Sequence, residues 1–202
     1  MAALVIASRN EHKVEELRQL LADLAIDVLS LRDFPHAPEV EEDGDTFEAN
    51  ALKKARIIAQ YTNQTVLADD SGLEVDALGG QPGVHSARFA GECASDKENN
   101  AKLLRQMEGV SPIDRTARFR CTIALVSPSG DERLVEGVCP GVIIDKPQGS
   151  GGFGYDPLFM VPHLGKTFAE LSGDEKNSIS HRGKALWKAL PVIREWLEDG
   201  LI

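Results

Sequence analysis

The apolar positions in the first part of the chain change their spacing in a regular way. The segment "ALVIAS" (3–8) is a continuous apolar run that ends in a polar cluster, as in a buried strand. The segment "HKVEELRQLLADL" then carries apolar residues at helical spacing, namely Val14, Leu17, Leu20, Leu21 and Leu24. "IDVLSL" predicts a second strand. The order strand, helix, strand favours an α/β fold.

An acidic, proline-containing loop, "PHAPEVEEDGDTF", separates the second strand from a second helix. The segment "DTFE" (45–48) predicts the start of that helix, with Asp45 accepting from the free N–H groups and Glu48 near the positive end of the dipole. One helix face carries the apolar residues Phe47, Ala51, Ala55 and Ile58. "TVLADDSGLEVDAL" then predicts a strand with Asp69 and Asp70 at its mouth, followed by a turn and further extended chain.

The second half of the chain predicts one more helix, a hairpin and a final helix. "DKENNAKLLRQM" is helical in pattern, and "ARFRCTIALVSPSGDERLVEGVCPG" alternates about "PSGD" as a long antiparallel hairpin does. A glycine-rich loop, "QGSGGFGYDP", and a polar stretch, "SGDEKNSISHRG", precede the last helix. Its inward face is predicted to hold Ala185, Leu186, Leu190, Ile193 and Leu197. These elements predict an α/β architecture with a mixed sheet.

Length and composition restrict the function classes. The chain has 202 residues, of which 42% are hydrophobic, enough for one sizeable core, so we expect residues 1–202 to form a single domain with two lobes. No apolar run approaches the roughly 18 residues of a membrane span, and the N-terminus lacks the basic region of a signal peptide, so we expect a cytoplasmic protein without a membrane partner. The 3 cysteines lack CxxC spacing, which argues against a zinc site and favours small buried hydrophobes.

The charge balance excludes polymeric nucleic acid as an expected partner. The chain has 22 Lys and Arg against 32 Asp and Glu, a net charge of -10, with no basic block. A phosphate ligand would therefore need locally concentrated positive charge, supplied by a few basic side chains, backbone N–H groups or a metal ion.

Polar clusters next to the ends of predicted elements are the candidate chemistry. "SRNEHK" (8–13) lies where a strand gives way to a helix, a place that favours an anion, although the segment by itself equally fits an ordinary helix cap. "EVEEDGD" by itself fits a solvated acidic loop. "GGFGYDP" (151–157) combines glycines with aromatic rings that could stack on a base, or forms a tight turn with a structural Tyr. "EKNSISHR" (175–182) gathers three basic side chains.

The paired aspartates require a positive partner, because neighbouring carboxylates repel each other and resist desolvation. If Glu42 and Asp70 bind Mg²⁺, the ion neutralises the acidic pair and also holds a polyphosphate. Lys13, Lys54 and Lys176 would supply the remaining positive charge. The clusters together therefore fit one phosphate substrate with a hard metal ion.

The segments "SRNEHKVEE", "EEDGDTFEANALKKA", "LADDSGLEVDALGGQPGVHSARFAG", "GGFGYDPLF" and "EKNSISHRGKAL", in this order, resemble the inosine/xanthosine triphosphate pyrophosphatase family. The resemblance runs from about residue 5 to about residue 190. It implies an elongated, two-lobed mixed α/β fold with the active-site cleft between the lobes, and a homodimer. It also implies Mg²⁺-dependent cleavage of the α–β phosphoanhydride of deaminated purine nucleotides such as ITP, dITP and XTP. The products are the nucleoside monophosphate and pyrophosphate.

The resemblance also implies roles for particular residues. Metal binding falls to Glu42 and Asp70, and Asp70 is also the proton acceptor. The substrate-binding residues it implies are Ser8, Arg9, Asn10, Glu11, His12, Lys13, Lys54, Ser71, Phe153, Gly154, Tyr155, Asp156, Lys176, His181 and Arg182. Among these, the resemblance implies that residues 8–13 bind the triphosphate and that residues 153–156 bind the base. It places Lys176, His181 and Arg182 around the purine and the phosphates. Arg9 stands where many family members have glycine, which removes backbone freedom at this position.

Two other functions remain open from the sequence. One is a related pyrophosphatase for modified pyrimidine or methylated nucleotides, and the other is a nucleotide sensor without catalysis. The acidic pair disfavours the sensor, because carboxylates beside a polyanion hinder binding unless a metal is retained.

Overall fold

The computed structural model describes residues 3–197. The α-helices in this range are α1 (Glu11–Leu21), α2 (Phe47–Thr62), α3 (Asp96–Gln106), α4 (Gly173–Ile179) and α5 (His181–Leu197). The strands are β1 (Ala3–Ile6), β2 (Asp27–Ser30), β3 (Thr65–Val75), β4 (Thr116–Val126), β5 (Glu132–Ile143), β6 (Phe159–Val161) and β7 (Lys166–Thr167). Short 3₁₀ turns, including Gly83–Arg88, join them.

The strands described between residues 3 and 197 form one mixed sheet in the order β2-β1-β3-β4-β5-β6-β7. Strand β1 pairs in parallel with β2 and with β3, whereas β6 pairs antiparallel with β5 and with β7. The predicted α/β fold with a mixed sheet and flanking helices is confirmed. Parallel strands at one side of the sheet follow from the strand–helix–strand order of the first half of the chain.

The hairpin predicted about "PSGD" is present. Strands β4 and β5 are neighbours in the sheet, and the N–H of Ser127 donates to the carbonyl of Asp131 at 2.9 Å across the connection. Gly130 has a φ of 92°, a conformation that glycine adopts without steric strain. The turn therefore forms where the sequence places its glycine.

Strand β3 differs from the prediction. The sequence predicts a strand that gives way to a turn after Asp69 and Asp70, but the chain stays extended from Thr65 to Val75. Both carboxylates find partners in this extended conformation, Asp69 with Lys13 and Asp70 with Asn50. Because each carboxylate has a partner within the fold, on opposite faces of the strand, the chain has no need to turn out to solvent here.

The chain divides into two compact units. The described residues of the first unit are 3–70, 121–137 and 182–197, and those of the second are 71–120 and 138–181. In the first unit, one apolar cluster packs α1 and α5 on Leu67 and Cys121, and another packs α2 on Val66 and Ala68. Alternate residues of β3 therefore serve two different helix layers.

The second unit has its own aromatic core. The ring centroid of Phe119 lies 4.6 Å from that of Phe159 and 5.6 Å from that of Phe168. All three rings are buried, together with Leu73 and Leu103. This core supports the glycine-rich loop described below.

The prediction that Asp45 caps helix α2 is wrong. Thr46, and not Asp45, is the capping residue, because its hydroxyl accepts from the N–H of Ala49 at 3.1 Å. The helix begins at Phe47, so the residue directly before it has the extended backbone that a cap requires. The predicted apolar face of this helix is buried.

Two of the three cysteines are buried in the protein. Cys121 and Cys139 are buried, as predicted for small hydrophobes, but Cys93 is exposed. Burial raises the pKa of the Cys121 thiol to about 12, so this group stays neutral. Within residues 3–197, none of the helices combines the length and the apolar character needed to cross a membrane.

Replacing Gly141 with Ala tests the packing between β5 and β6. A Cβ at this position would lie 2.4 Å from Cζ of Phe159 and 2.7 Å from the carbonyl oxygen of Met160. We expect the Gly141→Ala variant to lose about 1–3 kcal/mol of stability through this crowding. Chemical denaturation measures the loss, and Leu134→Ala, at a half-exposed site on the same strand, is the control. Equal stability of Gly141→Ala and wild type would contradict the packing.

Candidate functional site

The "SRNEHK" segment forms the turn from β1 into α1. The hydroxyl of Ser8 accepts from the N–H of Asn10 at 3.2 Å, and the side chain of Asn10 caps α1 by accepting from the N–H of Lys13 at 3.2 Å. The segment is thus a helix cap in local structure. A capped helix N-terminus still presents the positive end of the helix dipole, which favours an anion.

Arg9 uses its side chain within this turn. Its guanidinium donates to the carbonyl of Ala37 at 2.9 Å. A cavity of about 310 Å³ lies beside the turn, lined by Ser8, Arg9, Glu11, His12, Val14, Glu15, Arg18, Ser30 and Arg32. The replacement of glycine by arginine at position 9 therefore adds a side chain that fastens the loop carrying Ala37.

Asp69 lies at the centre of a buried ion cluster. Its carboxylate contacts Nζ of Lys13 at 3.0 Å and Nη2 of Arg182 at 3.3 Å, and its side chain has 0% exposure. Burial by itself would raise the pKa of Asp69, but the positive charges of Lys13 and Arg182 outweigh it and hold the pKa far below its usual range. Asp69 therefore stays ionised as the counterion of two cations.

Arg182 is committed to this cluster in the structure. Its Nε and Nη2 atoms point at Asp69, and its Nη1 donates to Glu16 of α1. The side chain is 2% exposed. The resemblance placed Arg182 around the purine and phosphates, whereas this geometry favours a role in positioning Asp69 and Lys13.

Asp69 and Glu16 were missed as site residues by the sequence reasoning. One signal was available for Glu16, because positions 13 and 16 are three residues apart on α1 and flank the buried Leu17. Charged residues beside the apolar face of a helix indicate a buried ionic partner.

Asp70 faces a different environment from its neighbour. Its Oδ2 accepts from Nδ2 of Asn50 at 2.9 Å, and the residue is 4% exposed. Burial raises the pKa of Asp70 to about 6, Lys13 and Lys54 oppose the rise, and the charge of Glu42 adds to it. Asp70 is thus a carboxylate whose ionised form is compensated only in part by the protein.

The acidic loop carries Glu42, whose charge acts on Asp70, and helix α2 holds this loop. Lys54 forms a short ion pair with Glu42, and its side chain is 11% exposed. Asn50, one turn earlier on α2, accepts from the N–H of Gly44 at 2.7 Å and donates to its carbonyl at 3.3 Å. The acidic loop is therefore not merely solvated, since Asn50 and Lys54 hold it against α2. Asn50 was missed by the sequence reasoning.

The glycine-rich loop of the second unit carries another cluster. Asp156 accepts from the N–H of Phe153 at 3.0 Å and forms an ion pair with Lys176 of α4 at 2.7 Å. The Lys176 ammonium also lies 5.0 Å from the centre of the Phe153 ring. Lys176 and Asp156 are both buried, so each charge depends on the other.

The side chains of Tyr155 and His181 contact other parts of the second unit. The hydroxyl of Tyr155 donates to the carbonyl of Ser86 at 2.8 Å, which fixes the ring in the core. The ring of His181 stacks on Phe119 with centroids 4.7 Å apart and planes 12° apart. Of the loop's two aromatic residues, Phe153 is the more exposed.

The structure thus places the predicted residues in two groups. In the first unit, Lys13, Lys54, Glu42, Asp70 and Arg182 share one network of charges, next to the turn that holds residues 8–12. In the second unit, the loop 153–156 and Lys176 form a second network, and Ser71 is a half-buried residue of β3.

Comparison with known proteins identifies the family. The model of the Ham1 family matches residues 4–192. The chain is 57% identical over 190 residues to the dITP/XTP pyrophosphatase of Desulforamulus reducens, covering 94% of each chain. It is 58% identical over 186 residues to the dITP/XTP pyrophosphatase of Geobacter sulfurreducens, covering 92% of this chain and 94% of that protein.

A solved structure shares the fold over nearly the whole chain. The structure of a HAM1 protein from Coxiella burnetii matches with a TM-score of 0.87 and 44% identity, covering 96% of this chain and 100% of that chain. The resemblance drawn from the motifs is confirmed, and the chain belongs to the Ham1 family.

Proposed function

We propose that this protein is a Mg²⁺-dependent pyrophosphatase that hydrolyses deaminated purine nucleoside triphosphates (ITP, dITP and XTP) to the monophosphate and pyrophosphate. The proposal agrees with the names of its relatives. The observation that carries it is the pair Asp69 and Asp70, in which one carboxylate is neutralised by Lys13 and Arg182 while the other has a pKa of about 6. A carboxyl group tuned in this way is typical of an acid–base site.

Asp70 acts as the proton acceptor in the proposed reaction. The oxygen of a water molecule attacks the α-phosphorus and its proton passes to the Asp70 carboxylate. The bond from the α-phosphorus to the bridging oxygen breaks, and its electron pair leaves with pyrophosphate. Asn50 keeps the Asp70 carboxylate oriented through its bond to Oδ2.

The positive residues of the first unit offset the charge of the triphosphate. Lys13 lies at the N-terminal end of α1, and its ion pair with Asp69 holds its ammonium in one place. Lys54 is held in the same way by Glu42. Fixed positive charges stabilise a leaving pyrophosphate without reorganising during the reaction.

The donor set at Asp70 fits a magnesium ion. Glu42 and Asp70 are hard oxygen donors, and the charge of Glu42 raises the pKa of Asp70, so the two carboxylates repel each other. Mg²⁺ is commonly bound by one or two carboxylates together with water and substrate phosphates. When bound, Mg²⁺ supplies charge neutralisation at the phosphates and lowers the pKa of a coordinated water. Within residues 3–197, no group of three or more His, Cys, Asp or Glu side chains is arranged to hold an ion.

The base contacts are proposed from residues that the family resemblance places around the purine. The Phe153 ring suits stacking on a purine, and Lys176 and His181 bring N–H donors. Hypoxanthine and xanthine present an acceptor oxygen at C6, where adenine presents an amino donor. A buried donor left opposite another donor costs about 1–3 kcal/mol, so adenine is disfavoured.

We also propose a homodimer, on the basis of the family resemblance, and a cytoplasmic location, on the basis of the sequence. Size measurement by light scattering tests the assembly directly.

A substrate panel tests the proposed activity. With Mg²⁺ present, we expect kcat/KM for ITP and XTP to exceed that for ATP by about 10² or more, since the 6-oxo group decides recognition. Pyrophosphate release measures turnover for ITP, XTP, dITP, ATP and GTP, and modified pyrimidine triphosphates test the alternative substrate class. Binding of ITP without pyrophosphate release would instead identify a sensor.

Asp70→Asn tests the proposed base and its electrostatics together. We expect kcat to fall by about 10² or more, since the amide cannot accept the proton. The raised pKa of Asp70 means that its ionisation weakens folding as pH rises from about 4 to about 6, by about 2–3 kcal/mol. The variant should therefore be more stable than wild type at pH 7.5, and the difference should vanish near pH 4.

Thermal or chemical denaturation at both pH values measures this effect. Asp45→Asn, which removes the same charge from an exposed site, is the control. A stability gain that does not depend on pH would contradict the assignment of a raised pKa to Asp70.

Asp69→Asn should behave in the opposite way. It removes the counterion of Lys13 and leaves the buried Arg182 with Glu16 alone, so we expect a loss of about 3–5 kcal/mol. Because the pKa of Asp69 is lowered, its stabilisation is complete above the unfolded pKa near 4 and disappears only in more acidic solution. Denaturation at pH 5.5 and at pH 7.5 should give the same loss, and a loss below 1 kcal/mol would refute the central place of Asp69.

A further inference from the structure

We propose that Asp96 and Asn100 of α3 are positioning residues that hold the loop 153–156 in the shape that receives the purine base. This inference rests on the proposed function for the identity of the base. It concerns residues that the motifs of the sequence did not single out.

Both side chains bind the backbone of one residue. The N–H of Gly154 donates to Oδ2 of Asp96 at 2.6 Å, and the carbonyl of Gly154 accepts from Nδ2 of Asn100 at 2.9 Å. Positions 96 and 100 are one helical turn apart, so the two side chains lie on the same side of α3. Helix α3 therefore grips the peptide groups before and after the Gly154 Cα.

Neighbouring residues of α3 perform the other local tasks. Ser95 and Glu98 form the capping box at the start of the helix. Asn99 accepts from the N–H of Ala90 at 2.7 Å and donates to the carbonyl of Ala87 at 3.1 Å. Since Ser95 provides the cap, the Asp96 carboxylate is available for Gly154.

Gly154 is the residue of this loop that most needs such a restraint. Its φ is 61°, and the position that a Cβ would occupy has nothing within 4 Å apart from the chain neighbours, so packing on that side does not restrain the residue. Glycine loses more conformational freedom on ordering than any other residue. The two hydrogen bonds from α3 replace the missing packing.

The residues on either side of Gly154 have their own anchors. The N–H of Phe153 is held by Asp156, and the hydroxyl of Tyr155 is held by the carbonyl of Ser86. Loss of the α3 contacts would leave Gly154 as a hinge between these anchors. The ring of Phe153, the proposed stacking partner of the base, would then lose its fixed orientation.

The experiment separates base recognition from phosphate recognition. We would measure kcat and KM for ITP, and inhibition by inorganic tripolyphosphate, in Asp96→Ala, Asn100→Ala and the double variant. Asp96→Asn keeps an oxygen that can accept from Gly154, and Lys97→Ala changes an exposed residue of the same helix. Amide hydrogen exchange of residues 153–155 reports the loop directly, whether or not substrate is turned over.

We expect each alanine variant to raise KM for ITP about five- to tenfold, with kcat within about twofold of wild type, through the loss of one hydrogen bond to the loop. Tripolyphosphate inhibition should be unchanged, and hydrogen exchange at 153–155 should be faster. Asp96→Asn and Lys97→Ala should resemble wild type.

Two results would overturn the inference. One is a double variant with wild-type KM and wild-type exchange at residues 153–155. The other is a parallel weakening of tripolyphosphate inhibition, which would indicate a general structural defect. If wild type itself fails to release pyrophosphate from ITP, the proposed function is wrong, whereas active wild type with unaffected alanine variants rejects this inference alone.

Discussion

The ion cluster around Asp69 is the constraint on which the first unit depends. One carboxylate of β3 binds Lys13 of α1 and Arg182 of α5, and Arg182 also binds Glu16 of α1. Two helices are therefore fastened to the central strand by charges that are nearly withdrawn from water. Such a cluster tolerates no missing member, because a single unpaired buried charge is far more costly than the complete set.

The same cluster explains why adjacent aspartates can differ so much. Alternate residues of a strand point to opposite faces, so Asp69 shares the side of Leu67 with α1 and α5, while Asp70 shares the side of Ala68 with α2. Lys13 and Arg182 lower the pKa of Asp69, whereas burial and the charge of Glu42 raise the pKa of Asp70 against the opposing charges of Lys13 and Lys54. Asp69 is therefore a structural anion. The ionised form of Asp70 is disfavoured by its surroundings, so binding a metal ion or a proton stabilises this side chain.

The second unit uses a different principle, in which backbone groups and aromatic packing hold a flexible loop. The buried pair Asp156 and Lys176 sets one side of the loop, and Tyr155 reaches back to Ser86. The rings of Phe119 and His181 stack on each other in this unit. Side-chain hydrogen bonds to the backbone of Phe153 and Gly154 help to give this glycine-containing loop a defined shape.

Much of this protein follows from the sequence alone. Apolar periodicity located α1, α2, α3, α5 and the hairpin, because burial of one face is a local property of the chain. It did not locate α4, a helix of seven residues in a stretch described only as polar. The motifs indicated the family, and the resemblance implied that Glu42 and Asp70 are metal ligands; the family assignment is confirmed, while the residue roles remain predictions.

The tertiary structure decided which charged groups lie next to each other. Strand β3 stays extended through both aspartates, Asn50 donates to Asp70, and Arg182 donates to Asp69, 113 positions away in the chain. These features depend on contacts between distant segments. Burial and the surrounding charge set the pKa of a carboxyl group, and neither is written in the residues next to it.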